Sequence, residues 1–237
     1  MLHLTLLDWI GLAVFLAGWL GYPTVVDRAP SFRDRSVIAA MNRHRRRWMA
    51  TSLTRDNRIV DASLVGNLMS STSFLANTSI FILGGLLAML GSPDLGQRIL
   101  GSMPIAEVPD ATAWQVRIGL LILIFVNAFF ELTWAMRQFN YASILVGAFP
   151  HPKQAAAEPE PARAQAEMAA AVANRAARHF NSGLRAYYFG LAALLWIFHP
   201  VALILATLWV VNELYRREFR SVVRQALNVP IAEDSET

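Results

Sequence analysis

Four long apolar stretches alternate with polar segments along the chain. The first covers residues 4–26 with Asp8 as its only charge, and the second covers 62–90 with none. The third, 114–135, holds Arg117 near its start and Glu131 near its end, and the fourth, 186–212, has neither a carboxylate nor an arginine. Each exceeds the roughly 20 residues that a helix needs to cross a hydrocarbon core about 30 Å thick. The pattern predicts an all-α fold, a polytopic membrane helical bundle with four transmembrane helices. The first stretch lacks a basic n-region and a small-residue cleavage site, so it reads as a retained span and not a signal peptide.

Two of these helices outgrow the bilayer. The second extends from about Arg58 to Leu90 and the third from Ala113 to Phe149. At 1.5 Å per residue they are roughly 50 Å and 55 Å long. Their surplus ends predict an antiparallel stalk on the cytoplasmic side, closed by Pro150 and Pro152. Residues 153–166 form a low-complexity alanine, proline and glutamate run expected to be mobile. Residues 166–180 are alanine-rich and helix-forming, and Asn181-Ser182-Gly183 is expected to end that helix. One membrane-embedded domain is expected over 1–229, followed by a flexible tail at 230–237.

Composition agrees with the pattern: 55% of residues are hydrophobic and 16% charged, against about 25% charged in a soluble domain. Between Asp27 and Arg58, loop one carries nine arginines and three aspartates, a net +6. Loop two, 91–113, carries a net −2. Arginine held on the cytoplasmic side puts loop one inside, and loop two and the N-terminus outside, in a multi-pass protein of the cell inner membrane. Arg216, Arg217, Arg220 and Arg224, just after the fourth stretch, disagree, because four crossings would leave them outside. His199-Pro200 offers a way out, since proline interrupts the helix there. Either the stretch is a kinked full span, the reading preferred here, or it is a hairpin that returns the tail to the cytoplasm.

Within loop one, Val37, Ile38, Met41 and Trp48 share a helix face. Arg43, Arg45, Arg46 and Arg47 lie around it. A basic amphipathic helix in the interface, attracted to anionic lipid headgroups, explains this; so does a solvated loop serving only topology. Nucleic acid is not needed to explain arginines that the positive-inside rule already accounts for.

Polar groups inside the spans are the candidate chemistry. On the second span Ser63, Gly66, Asn67, Ser70, Ser71, Ser73, Asn77, Thr78, Gly84 and Gly85 fall within half the circumference. They predict a polar seam against another helix or, on a second reading, the wall of a solute path. Glu131 shares a face with Asn127, Trp134 and Gln138. A carboxylate at depth needs a partner or a function, and an arginine, Arg137 or Arg185, is the expected partner. A position at the interface would remove that need. His199, beside Pro200, either donates to a neighbouring helix or holds a proton or cation at the kink. Ala13, Ala17 and Gly21 form a small-residue face suited to packing within or between subunits, and a homo-oligomer follows from the second case. The absence of cysteine excludes disulfides and thiolate chemistry. No HExxH, P-loop or nucleophile-elbow motif occurs, so neither an enzyme class nor a cofactor is implied.

Several strings together resemble a family of polytopic membrane proteins of bacteria and plants known as a domain of unknown function. They are Arg45–Met49 (RRRWM), Arg58–Phe74 (RIVDASLVGNLMSSTSF), Phe129–Tyr141 (FFELTWAMRQFNY), Gly183–Phe189 (GLRAYYF), Trp196–Pro200 (WIFHP) and Leu214–Ser221 (LYRREFRS). The resemblance implies an integral membrane protein of several helices and carries no activity or site. Two functions remain. In the first, the protein is a helical-bundle scaffold or assembly component cemented by a buried polar seam. In the second it is a channel or carrier whose path is lined by the second-span stripe, Glu131 and His199.

Overall fold

The computed structural model describes residues 4–28, 36–101 and 110–227, and among these every regular element is helical. The tail expected at 230–237 lies outside the described residues. Helix α1 (Leu6–Leu16) passes through a wide π turn (Ala17–Gly21) into α2 (Tyr22–Arg28). Then come α3 (Val37–Ser52), α4 (Ile59–Leu90), α5 (Pro93–Gly101) and α6 (Ala111–Gly147). After α7 (Pro152–Ala157), α8 (Pro159–Leu194) continues into a 3-10 turn (Leu195–Ile197), followed by α9 (Pro200–Phe219) and α10 (Val222–Leu227). Three helices are long and apolar enough to cross a membrane, Leu6–Val26, Ile59–Leu90 and Ala111–Gly147, and they match the first three stretches.

The frame is built on α6. Its buried residues Trp114, Ile118, Leu121, Phe125, Ala128, Leu132, Ala135, Phe139, Ala142 and Val146 advance by alternating steps of four and three. A strict heptad of this kind keeps one seam facing a partner along a left-handed pair. The partner is α8, whose Ala162, Ala166, Ala169, Ala173, Ala176, Gly183 and Gly190 follow the same repeat. Small side chains let the two axes come close. At Gly183 an added Cβ would stand 2.6 Å from Cγ of Leu132, and at Gly190 it would stand 2.9 Å from the Phe125 ring. On the other side of α6, α4 buries Val65, Thr72, Ala76, Ser79 and Leu86.

Three expectations are corrected by this arrangement. The 153–166 run is helical, in α7 and the start of α8, and its alanines pack on Met49, Ala142 and Phe149. Nor does the helix end at Asn181-Ser182-Gly183: α8 runs through to Leu194, with Gly183 serving close approach to α6. The fourth stretch is not one kinked span either. His199 is extended, with φ −162° and ψ 140°, and the chain reverses there. Pro200 and Leu203 lie against Gly11, Val211 and Phe189 both lie against Gly18, and the Arg217 guanidinium reaches the Tyr188 hydroxyl at 3.4 Å. So α9 runs antiparallel to the end of α8 and alongside α1, and its C-terminus returns to the level of loop one. There Glu218 accepts from the Ile38 amide at 3.1 Å.

Candidate functional site

At the Asp8 end of the bundle, the only charge of the first apolar stretch meets the arginine of the third. Thr5 caps α1 in a reciprocal box with Asp8 and gives it two hydrogen bonds, from its amide and its hydroxyl, to Oδ2. The other oxygen, Oδ1, accepts from Arg117 at 3.1 Å and from the Trp196 indole at 2.8 Å. Arg117 also donates to the Ile197 carbonyl at 3.2 Å and lies over the Trp196 ring. Asp8, Arg117 and Trp196 are all buried, at 2%, 3% and 0% exposure. The knot fastens α1, α6 and the turn after α8, and it closes that end of the bundle. Nothing in the sequence reading paired these residues. The available signal was that, with loop one on one side and loop two on the other, the first and third stretches run in the same direction, so Asp8 and Arg117, each near the start of its stretch, fall at the same end of the bundle.

A second charged knot holds the opposite end. Asp61 is fully buried and accepts from the Trp48 indole at 2.6 Å and from Arg55. Arg58 donates to the carbonyls of Ser52 at 3.0 Å, Phe149 at 3.0 Å and Pro150 at 2.6 Å, satisfying carbonyls at the end of α6. These bonds tie loop one to the stalk. They also place Trp48 against protein: α3 packs its apolar side on α8, and Arg45 donates to Asn174 at 3.0 Å. Burial pushes the Arg45 guanidinium below its ordinary range. Arg46 and Arg47 face outward, as does Arg43.

Glu131 lies in an open cleft of about 450 Å³ between α6 and α8. Its partner is His179 and not an arginine: Nδ1 stands 2.8 Å from Oε2. Arg137 instead donates from Nε to the Tyr141 hydroxyl at 2.5 Å, and Arg185 stacks over Tyr22. Asn127, Phe130, Trp134 and Arg137 line the cleft with the pair, and the Trp134 ring stands edge-on to His179. Gln138 does not share this face but is buried. The outward stripe of α6 is Leu123, Asn127, Phe130, Trp134, Arg137, Tyr141 and Ile144, again in steps of four and three.

The second-span stripe is also displaced from its expected place. Ser63, Gly66, Asn67, Ser70, Ser71, Asn77, Gly84 and Gly85 are exposed, and no atom comes within 4 Å of a Cβ built on any of these glycines. Ser71 returns its hydroxyl to the Asn67 carbonyl, and Thr78 to that of Phe74. The two residues that broke the stripe, Thr72 and Ser79, are the buried ones; Ser79 lies 2.9 Å from the Tyr187 hydroxyl. On α1, Ala13 and Ala17 face outward, and Gly11 and Gly18 make the close packing. His199 caps α9, its Nδ1 accepting from the Val201 amide at 3.1 Å. Asn67, Glu131 and His199 are thus on an outer face, in a side cleft and at a turn respectively, and the Glu131 cleft is not lined by the other two. Among the described residues no three His, Asp or Glu side chains are grouped to hold a metal ion.

No curated protein and no solved structure matches the chain. One family model does, over residues 10–223, which takes in Arg117 and Trp196 but not Asp8, the whole of the Asp61 knot, the Glu131 cleft, the α4 stripe and the hairpin. The chain therefore belongs to the family described as a protein of unknown function, DUF599.

Proposed function

We propose that this protein is a multi-pass scaffold of the inner membrane, a helical bundle closed within itself that assembles with further copies through the polar stripe of α4. The observation that carries this reading is the outward position of Ser70, Asn77 and their neighbours on an apolar helix at the edge of the bundle. An amide or hydroxyl left without a partner in hydrocarbon costs a few kcal/mol. A second α4 would satisfy it, since asparagine both donates and accepts, and Gly84 and Gly85 admit a close backbone. A two-fold contact would set like residues against one another.

The interior supports scaffolding over transport. Leu121, Ile124, Phe125, Phe189 and Trp196 pack into one apolar cluster, and the residues considered for a solute path do not meet. Charge orients the bundle: α9 brings Arg216, Arg217, Arg220 and Arg224 to the level of loop one, so the two arginine groups share one side, the cytoplasm. Arg43, Arg46 and Arg47 then face the anionic headgroups of that leaflet.

Light scattering of the purified protein in detergent, with detergent mass subtracted, tests the reading. Ser70→Leu with Asn77→Leu should leave thermal unfolding of the single chain within about 0.5 kcal/mol of the parent, as for surface changes, and abolish self-association. Leu68→Ile should change neither. A doubly substituted protein that assembled like its parent would remove α4 as the contact.

A further inference from the structure

The cleft around Glu131 has a depth and a donor set of its own. Arg117, at the Asp8 end, and Arg137 are twenty residues apart on one helix. At 1.5 Å per residue that is about 30 Å, the thickness of the hydrocarbon core. The outward stripe of α6 changes character on arriving there. Leu123 and Phe130 give way to Trp134, Arg137 and Tyr141, the amphipathic residues that gather at headgroup level. Because Arg137 lies at the stalk side, this is the level of the cytoplasmic leaflet.

The polar groups of the cleft are mostly donors. Glu131 is engaged by His179, and Arg137 gives only Nε to Tyr141. The terminal guanidinium nitrogens of Arg137 and the indole N–H of Trp134 have no partner among the described residues. The apolar wall below them, Phe130, is 64% exposed. We infer that the cleft holds one phospholipid of the cytoplasmic leaflet, its phosphate on Arg137 and Trp134 and an acyl chain along Phe130. Guanidinium recognises phosphate with two parallel hydrogen bonds, and the tryptophan edge adds a third donor at the same depth. This site rests on membrane embedding and not on self-assembly.

Native mass spectrometry of protein extracted from vesicles of phosphatidylethanolamine and phosphatidylglycerol reads the bound lipid directly. The parent should retain one phospholipid per chain through delipidation. Arg137→Gln and Trp134→Leu should each lower that occupancy about tenfold, the effect of about 1.4 kcal/mol from one charge-assisted contact. Arg163→Gln, more than four turns along α8 from His179 and paired with Glu160, should not, and Ser70→Leu should keep the lipid whether or not it assembles. Undiminished lipid on both Arg137→Gln and Trp134→Leu would overturn the site. Displacement of the lipid by millimolar inorganic phosphate would overturn it too, by making the cleft a free-anion site.

Discussion

Asp8 and Arg117 are each the costliest residue of an apolar stretch, and each makes the other tolerable. Removing one partner of a buried ion pair leaves an uncompensated charge and costs about 3–5 kcal/mol, whereas replacing both with apolar groups is often near neutral. Asp8→Asn should therefore destabilise the protein by about 3 kcal/mol in a thermal or denaturant titration. Asp8→Leu combined with Arg117→Leu should cost much less than the sum of the single changes. Strict additivity would mean that the pair is not coupled. The sequence showed both charges as exceptions but not their meeting, which depends on the turn carrying Trp196. Glu131 was legible as a group needing a partner. The pattern points to an arginine partner and not to His179 because His179 lies outside the four apolar stretches, and no wheel drawn on one helix places a residue of another beside it.

The helices follow a heptad that hydrophobicity alone conceals. In a bilayer the lipid-facing and protein-facing sides are both apolar, so the buried and exposed residues of α6 look alike in the sequence. What distinguishes them is size: alanine and glycine on α8 meet larger residues on α6. This is also why the 4–26, 62–90 and 114–135 stretches were readable as helices long and apolar enough to cross a membrane, while the face that α4 packs within the chain was not. Polar residues mark a seam, but a seam is equally useful inside a subunit or between subunits. Gly183 gives the element-scale test. Gly183→Val places a Cβ 2.6 Å from Leu132 Cγ if nothing moves, and overpacking of that kind costs about 1–3 kcal/mol. Adding Leu132→Ala should recover part of the lost melting temperature. A Gly183→Val protein as stable as the parent would show that α6 and α8 do not touch there.

For the whole molecule, the reversal at His199-Pro200 resolves the conflict between the charge pattern and a four-crossing chain. With α9 folded back beside α1, the arginines of loop one and those after α9 lie at one end, and the Asp8–Arg117 knot lies at the other. The break at proline was legible; its sharpness was not, since kinked spans and hairpins share the same residue pattern and differ in what α1 offers to pack against. Gly11 and Gly18 supply that surface. The membrane-embedded bundle on which the scaffold reading stands predicts a definite sidedness. The chain has no cysteine, so single cysteines at Thr54, Ser92 and Val222, all exposed, can be labelled in sealed cells with an impermeant maleimide. Ser92→Cys should react from outside, while Thr54→Cys and Val222→Cys should react only after the membrane is opened. Reaction of Val222→Cys from outside alongside Ser92→Cys, or labelling of all three from one side, would contradict the bundle's placement in the membrane.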